Sequence, residues 1–125
     1  MKIASILENQ KIEKRIAITP DIAKKYISLG FEVSLSENYG IHLGIKDEEY
    51  KELGVLISDK EKEIIINADI IVQLGLLSDD KDLLLKENQI FIGVLNPHEN
   101  KDKIENLVKK NINTFSLELL PRITR

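Results

Sequence analysis

The chain has 125 residues, 42% hydrophobic and 31% charged, a mixture that excludes a disordered tail and supports one compact domain with its own core. Its 18 basic and 21 acidic side chains leave a net charge of −3, which argues against nucleic acid as a partner, since that needs concentrated positive charge. Cysteine is absent, which rules out disulfide scaffolds and thiolate metal sites, and no apolar run approaches the ~20 residues of a bilayer span. The first apolar run meets Glu8, Lys11 and Glu13 too soon for a signal peptide. The composition therefore predicts a soluble intracellular domain. Isoleucine is about one residue in six, so an Ile-rich run is weak evidence for a strand and spacing carries the assignment.

Lys2–Ile6 reads as a first short strand, followed by a charged stretch from Glu8 to Arg15 and then Ile16-Ala17-Ile18. Thr19-Pro20-Asp21 has the signature of a helix start: a capping hydroxyl, a proline at the first turn and an acid at the positive dipole end. Ile22, Ala23, Tyr26 and Ile27 recur at helical spacing and Gly30 stops the helix. Phe31–Leu35 alternates as a strand with Phe31, Val33 and Leu35 on one face. The stretch Asn38-Tyr39-Gly40 to Gly44 is loop-like, which predicts Tyr39 and His42 as surface residues. Asp47 opens a helix presenting Tyr50 and Leu53 and ending at Gly54, before a brief strand Val55–Ile57. Ser58 and Glu61 have capping-box spacing ahead of a helix reaching about Ile66.

Asp69–Leu74 is a continuous apolar run of the kind that parallel strands covered on both faces display. A short helix from Ser78 or Asp79 carries Leu83 to Leu85, and Gln89–Leu95 is another apolar strand. Asn96-Pro97-His98-Glu99 reads as a capped start for a helix burying Ile104, Leu107 and Val108, whose Lys101–Lys110 charges form a solvated face. Asn113–Leu119 is the last strand. Repeated β-α-β order predicts one domain over residues 1–125: a doubly wound, mostly parallel sheet of five or six strands with helices on both faces, Rossmann-like or flavodoxin-like.

In such sheets ligands sit where the winding reverses, outside the carboxyl ends of the strands. Neither a G-x-G-x-x-G fingerprint nor a phosphate P-loop is formed by the six glycines. His42 and His98 fall in different loops without a clustered carboxylate, which argues against a metal site. A receiver-type phosphorylation domain needs an acidic pair after the first strand, where Leu7 stands, and an Asp at the third strand end, where Gln73-Leu74 stands.

Three stretches together resemble one family: Lys2-Ile3-Ala4 with Glu8 and Glu13-Lys14-Arg15-Ile16-Ala17-Ile18-Thr19-Pro20; Leu29-Gly30-Phe31-Glu32-Val33 with Asp69-Ile70-Ile71; and Glu118-Leu119-Leu120-Pro121-Arg122-Ile123-Thr124-Arg125. In order and spacing they are similar to the N-terminal domain shared by alanine dehydrogenase and the alpha subunit of proton-translocating NAD(P) transhydrogenase. The ending is similar to the transhydrogenase branch. The resemblance implies an oxidoreductase and translocase in which hydride passes from NADH to NADP⁺. NAD(H) would be held mainly by a Rossmann domain that this chain lacks, and NADP(H) by a partner. Partners would be the membrane and NADP-binding subunits, placing the assembly at the cytoplasmic face of the inner membrane with no insertion by this segment. Since the family's nicotinamide loop continues past Arg125, the resemblance also implies a fragment, inactive on its own, whose uncovered sheet face leaves an apolar patch or pairs with a second copy.

Two departures separate the branches. Alanine dehydrogenases of this type carry Lys where this chain has Gln73 and a catalytic His where it has Asn96. Reductive amination needs a group that titrates near neutrality, whereas direct hydride transfer needs oriented rings. The resemblance assigns no catalytic residue here and marks Arg122, Arg15, Gln73, Asn96 and Glu118 as cofactor-side positions. Four of them have a plainer reading as well. Arg15 would tie its loop to Glu8 or Glu13, Arg122 would be a solvated terminal cation, Asn96 a helix cap and Glu118 a strand-end carboxylate. The remaining alternatives are an alanine dehydrogenase-type enzyme and a non-catalytic binding or assembly module.

Overall fold

The computed structural model describes residues 1–8, 14–77, 81, 84–94 and 99–116. Six strands form one sheet: β1 (Lys2–Ser5), β2 (Glu32–Ser36), β3 (Leu56–Ser58), β4 (Ile70–Val72), β5 (Ile90–Gly93) and β6 (Asn113–Ser116). Every pairing is parallel, in the spatial order β3-β2-β1-β4-β5-β6. The sheet is thus wholly parallel and six-stranded, the doubly wound order of dinucleotide-binding folds, with the winding reversing between β1 and β4.

Side chains alternate across the sheet and build two cores. Ile3, Val33 and Leu35 face helices α1 (Pro20–Ser28) and α2 (Asp47–Glu52), packing with Ala23 and Tyr50. Ala4, Ile71 and Phe91 face the other way, onto Ile64 and Ile65 of α3 (Glu61–Asn67) and Leu107 of α4 (Lys101–Lys109). A fully buried ring such as Phe91 contributes roughly 2–3 kcal/mol of transfer free energy. Double winding leaves opposite ends of the two faces thinly covered among the described residues. Leu56 is 63% exposed on the α3 side and Phe115 is 51% exposed on the α1 side. Beside Leu56 lies a cleft of about 480 Å³, lined by Lys2, Glu32, Ser34, Ser58 and Glu63 among others. Among the described residues, the thinly covered area is one end of each face.

Local chemistry explains most boundaries. Thr19 caps α1, its hydroxyl accepting from Ile22 N at 3.4 Å, with Pro20 in the first turn. Gly30 (φ 95°) and Gly54 (φ 97°) follow α1 and α2 in the left-handed region that a side chain would strain. Three expectations shift. Ser58 is the last residue of β3 and its hydroxyl accepts from Lys60 N at 3.1 Å, so α3 begins at Glu61 behind Lys60 without a side-chain cap. Helix α4 begins at Lys101, behind Asn100 rather than at Asn96-Pro97. Val108 is 57% exposed, so the buried stripe of α4 is Leu107 with half-buried Ile104. The short helix expected from Ser78 and the strand beyond Ser116 fall on residues outside those described.

Candidate functional site

The carboxyl ends of β1, β2 and β4 converge at the reversal, and buried polar side chains knit them together. Ser36, ending β2, accepts from Leu7 N through its hydroxyl at 2.8 Å. Gln73 follows β4 and is 2% exposed. Its Oε1 accepts from Ile6 N at 2.7 Å and Ser5 Oγ at 2.8 Å, while its Nε2 donates to Ile6 O at 3.1 Å and to Glu8 Oε2. A buried amide with both ends satisfied has one orientation, since flipping it would oppose like groups at Ile6. Glu8 closes the turn after β4: its Oε1 accepts from Leu74 N at 3.1 Å and Gly75 N at 2.8 Å.

The segment holding Arg15 belongs to neither helix nor strand, so its backbone groups need partners elsewhere. The loop after β2 and helix α2 supply them. Tyr39 Oη accepts from Ala17 N and Ile18 N, both at 3.1 Å, and Tyr50 Oη donates to Ile18 O at 2.8 Å. His42 Nε2 lies 2.7 Å from Lys14 O. Tyr39 Oη is also 2.8 Å from Ser5 Oγ. The two tyrosine rings meet edge to face, 6.0 Å apart. Burial raises the Tyr39 pKa above the usual tyrosine value, against the opposing pull of the Ser5, Ile18 and Ala17 hydrogen bonds. The Tyr50 pKa is raised as well, by burial first and then by neighbouring Tyr39, Glu49 and Asp47.

Tyr39 is 0% exposed, which corrects its expected place on the surface, and His42 is half-buried. Asn38 (φ 60°) and Gly40 flank Tyr39 like any surface turn. Its burial answers the backbone groups of Ala17 and Ile18, about 20 residues earlier, which no local sequence cue marks. Ser5, Ser36 and Tyr39 are the members of this cluster that sequence reasoning missed. Of the expected cofactor-side residues, Gln73 lies at the centre of the cluster and Arg15 is exposed on the segment tied to it through Tyr39. Asn96, Glu118 and Arg122, with His98, lie outside the described residues. Among the described residues, no group of three His, Cys, Asp or Glu is placed to hold a metal, and no helix is long and apolar enough to cross a membrane.

At the carboxyl ends of β1 and β4 the central side chain is thus a buried amide, which does not titrate. Residues 6–125 match the family described as alanine dehydrogenase/PNT, N-terminal domain. The chain is 40% identical over its whole length to a protein named as the first part of NAD(P) transhydrogenase subunit alpha in Rickettsia prowazekii. It is 32% identical to the protein of the same name from Rhodospirillum rubrum, and it spans 34% of each. It thus spans about a third of the length of these curated relatives. Its structure superposes on the transhydrogenase of Sinorhizobium meliloti with a TM-score of 0.88 at 28% identity, covering 98% of this chain and 36% of that one. An L-alanine dehydrogenase, 18% identical, shares the fold with a TM-score of 0.85 over 93% of this chain and 32% of its own. With the family match running from Ile6 to Arg125 and the six-stranded order in place, the chain belongs to the alanine dehydrogenase/PNT N-terminal domain family.

Proposed function

We propose that this chain is the N-terminal portion of an NAD(P) transhydrogenase alpha subunit, forming one wall of the cleft that receives the nicotinamide of NAD(H). In the complete protein, NADH and NADP⁺ exchange hydride, coupled to proton translocation by membrane-embedded partners. NADP(H) is held by a separate partner domain, and the assembly sits at the cytoplasmic face of the membrane. This segment by itself is inactive. Arg15 and Arg122 act as donors on the nicotinamide side, with Glu118 orienting Arg122, and Gln73 and Asn96 line the strand ends.

The observation carrying this reading is Gln73. Its amide is committed to Ser5, Ile6 and Glu8 at the point where the winding reverses, so Gln73 supplies orientation without itself giving or taking a proton. Direct hydride transfer between two rings needs positioning and an electrostatic bias, and moves no proton through the wall. The 40% identity to a transhydrogenase alpha-subunit portion supports the same branch. An alanine dehydrogenase would need general acid–base chemistry that this position lacks. The experiment is a steady-state comparison on the full-length parent with its partners. Reduction of NADP⁺ by NADH is expected, and NADH-dependent turnover of pyruvate with ammonium in its place would favour the dehydrogenase.

A further inference from the structure

The hydrogen bonds around Tyr39 run in one direction. Its oxygen accepts the Ala17 and Ile18 N–H groups, which fills both lone pairs, so its own proton goes to Ser5 Oγ. Ser5 then donates to Gln73 Oε1, and Gln73 Nε2 donates to Glu8, whose other oxygen holds Leu74 N and Gly75 N. Tyr39, Ser5 and Gln73 are 0%, 1% and 2% exposed, so a broken link finds no water and the next group must turn. Buried networks of this kind respond as a unit. Tyr50 supplies an internal contrast. It holds the same Ile18 peptide from the carbonyl side, yet has no hydrogen bond among those described to Ser5 or Gln73.

We propose that Tyr39 is a positioning residue of the nicotinamide cleft. Through Ala17 and Ile18 it fixes the segment carrying Arg15; through Ser5 it fixes the Gln73 amide and the Glu8-closed turn. The two walls therefore hold one separation. The cleft role rests on the function proposed above, while the link from Tyr39 to Gln73 stands on geometry alone.

The test compares Tyr39→Phe with Tyr50→Phe in the 125-residue chain by amide proton–nitrogen correlation spectra, with the Gln73 side-chain NH₂ pair identified by its loss in Gln73→Met. Tyr39→Phe is expected to shift that pair together with the Leu74 and Gly75 amides, and Tyr50→Phe to shift residues near Ile18 while leaving the pair in place. Equal responses to both variants, or an unmoved pair in Tyr39→Phe, overturn the proposal. Should Tyr39→Phe fail to fold, Ser5→Ala breaks the same chain one link on and must move the same pair. In the full-length subunit with its partners, Tyr39→Phe should raise the KM for NADH about three- to tenfold with kcat changed less than about twofold, and Tyr50→Phe, which loosens the Arg15 segment at Ile18 alone, should raise KM by less than Tyr39→Phe does. An unchanged KM beside a shifted Gln73 pair overturns the cleft role. Absence of hydride transfer in the wild-type assembly strikes the functional reading instead, and the spectra still decide whether Tyr39 sets Gln73.

Discussion

Glu8 and Gly75 meet across the reversal of the sheet: a carboxylate oxygen from just beyond β1 accepts the N–H of the turn beyond β4 at 2.8 Å. At the opposite end of the same strand pair, Asp69 mirrors it. Its Oδ2 accepts from Lys2 N at 2.8 Å and its own N donates to Lys2 O at 2.9 Å. The two strands share only a short register, Ile3 with Ile70 and Ala4 with Ile71, so an acidic side chain at each end extends the link between them where the pairing runs out.

Removing the clasp should loosen the turn before it unfolds the domain. Glu8→Ala leaves Leu74 N and Gly75 N without their acceptor and should lower stability by about 1–2 kcal/mol, because the half-buried turn regains some water. Hydrogen exchange should quicken at Leu74 and Gly75 while Ile71 and Phe91 keep their protection relative to global unfolding. A uniform loss across the sheet would show that Glu8 does not act locally.

Gln73→Met tests the amide itself at nearly constant volume. It orphans Ile6 N and Ile6 O and takes away the acceptor of the Ser5 hydroxyl proton, and a buried unsatisfied group costs about 1–3 kcal/mol, so a loss near 3 kcal/mol is expected in urea unfolding. Because Ser5 joins Gln73 to Tyr39, pairing the variant with Tyr39→Phe should cost less than the sum of the two. Strict additivity would mean that the network is not one unit.

Much of this was legible in the sequence and some was not, for reasons that differ residue by residue. Thr19-Pro20-Asp21 and Gly30 bracket α1 because capping and left-handed backbone are local properties. The apolar run through Ile70–Val72 marked a strand at the centre of the sheet, and Gln73 stood out at its end as a departure from the Lys of alanine dehydrogenases. Ser58 misled because its role depends on where β3 ends, and that is decided by pairing with Ser36. Tyr39 misled for a longer-range reason. Its neighbours have turn chemistry, and its burial answers the needs of backbone at Ala17 and Ile18, which no local pattern encodes. The partners of Gln73 were hidden in the same way: Ser5 and Glu8 come close only once β1 lies beside β4.

High pH should expose the tyrosine pair. A phenol whose folded pKa lies above its unfolded value holds its proton more tightly when folded. Its contribution to stability is complete below about pH 10 and is lost as pH climbs toward the raised value. The urea midpoint should therefore start to fall at about pH 10, the free tyrosine value, and keep falling as pH rises further. The fall should be shallower in the Tyr39→Phe, Tyr50→Phe double variant, and an identical slope would remove the phenols from the account.

Gly40 sits beside Tyr39 under a tight contact: a Cβ placed there would lie 2.9 Å from Ile45 Cβ. Gly40→Ala should push the turn at Ile41–Leu43 and cost about 1–3 kcal/mol by overpacking. Gly44→Ala, with nothing within 4 Å but φ of 80°, is the matched comparison. It should cost about 1 kcal/mol through backbone strain and leave the Ala17 and Ile18 amide resonances in place. Equal movement of those resonances in both variants would contradict the contact argument.

On the function proposed above, hydride crosses beside a wall that takes no role in proton transfer. Full-length subunit assembled with its partners and given NADH deuterated at the transferred position should yield NADPH carrying the label, with no alanine formed when pyruvate and ammonium are added. Label lost to water, or label recovered in alanine, would contradict the account.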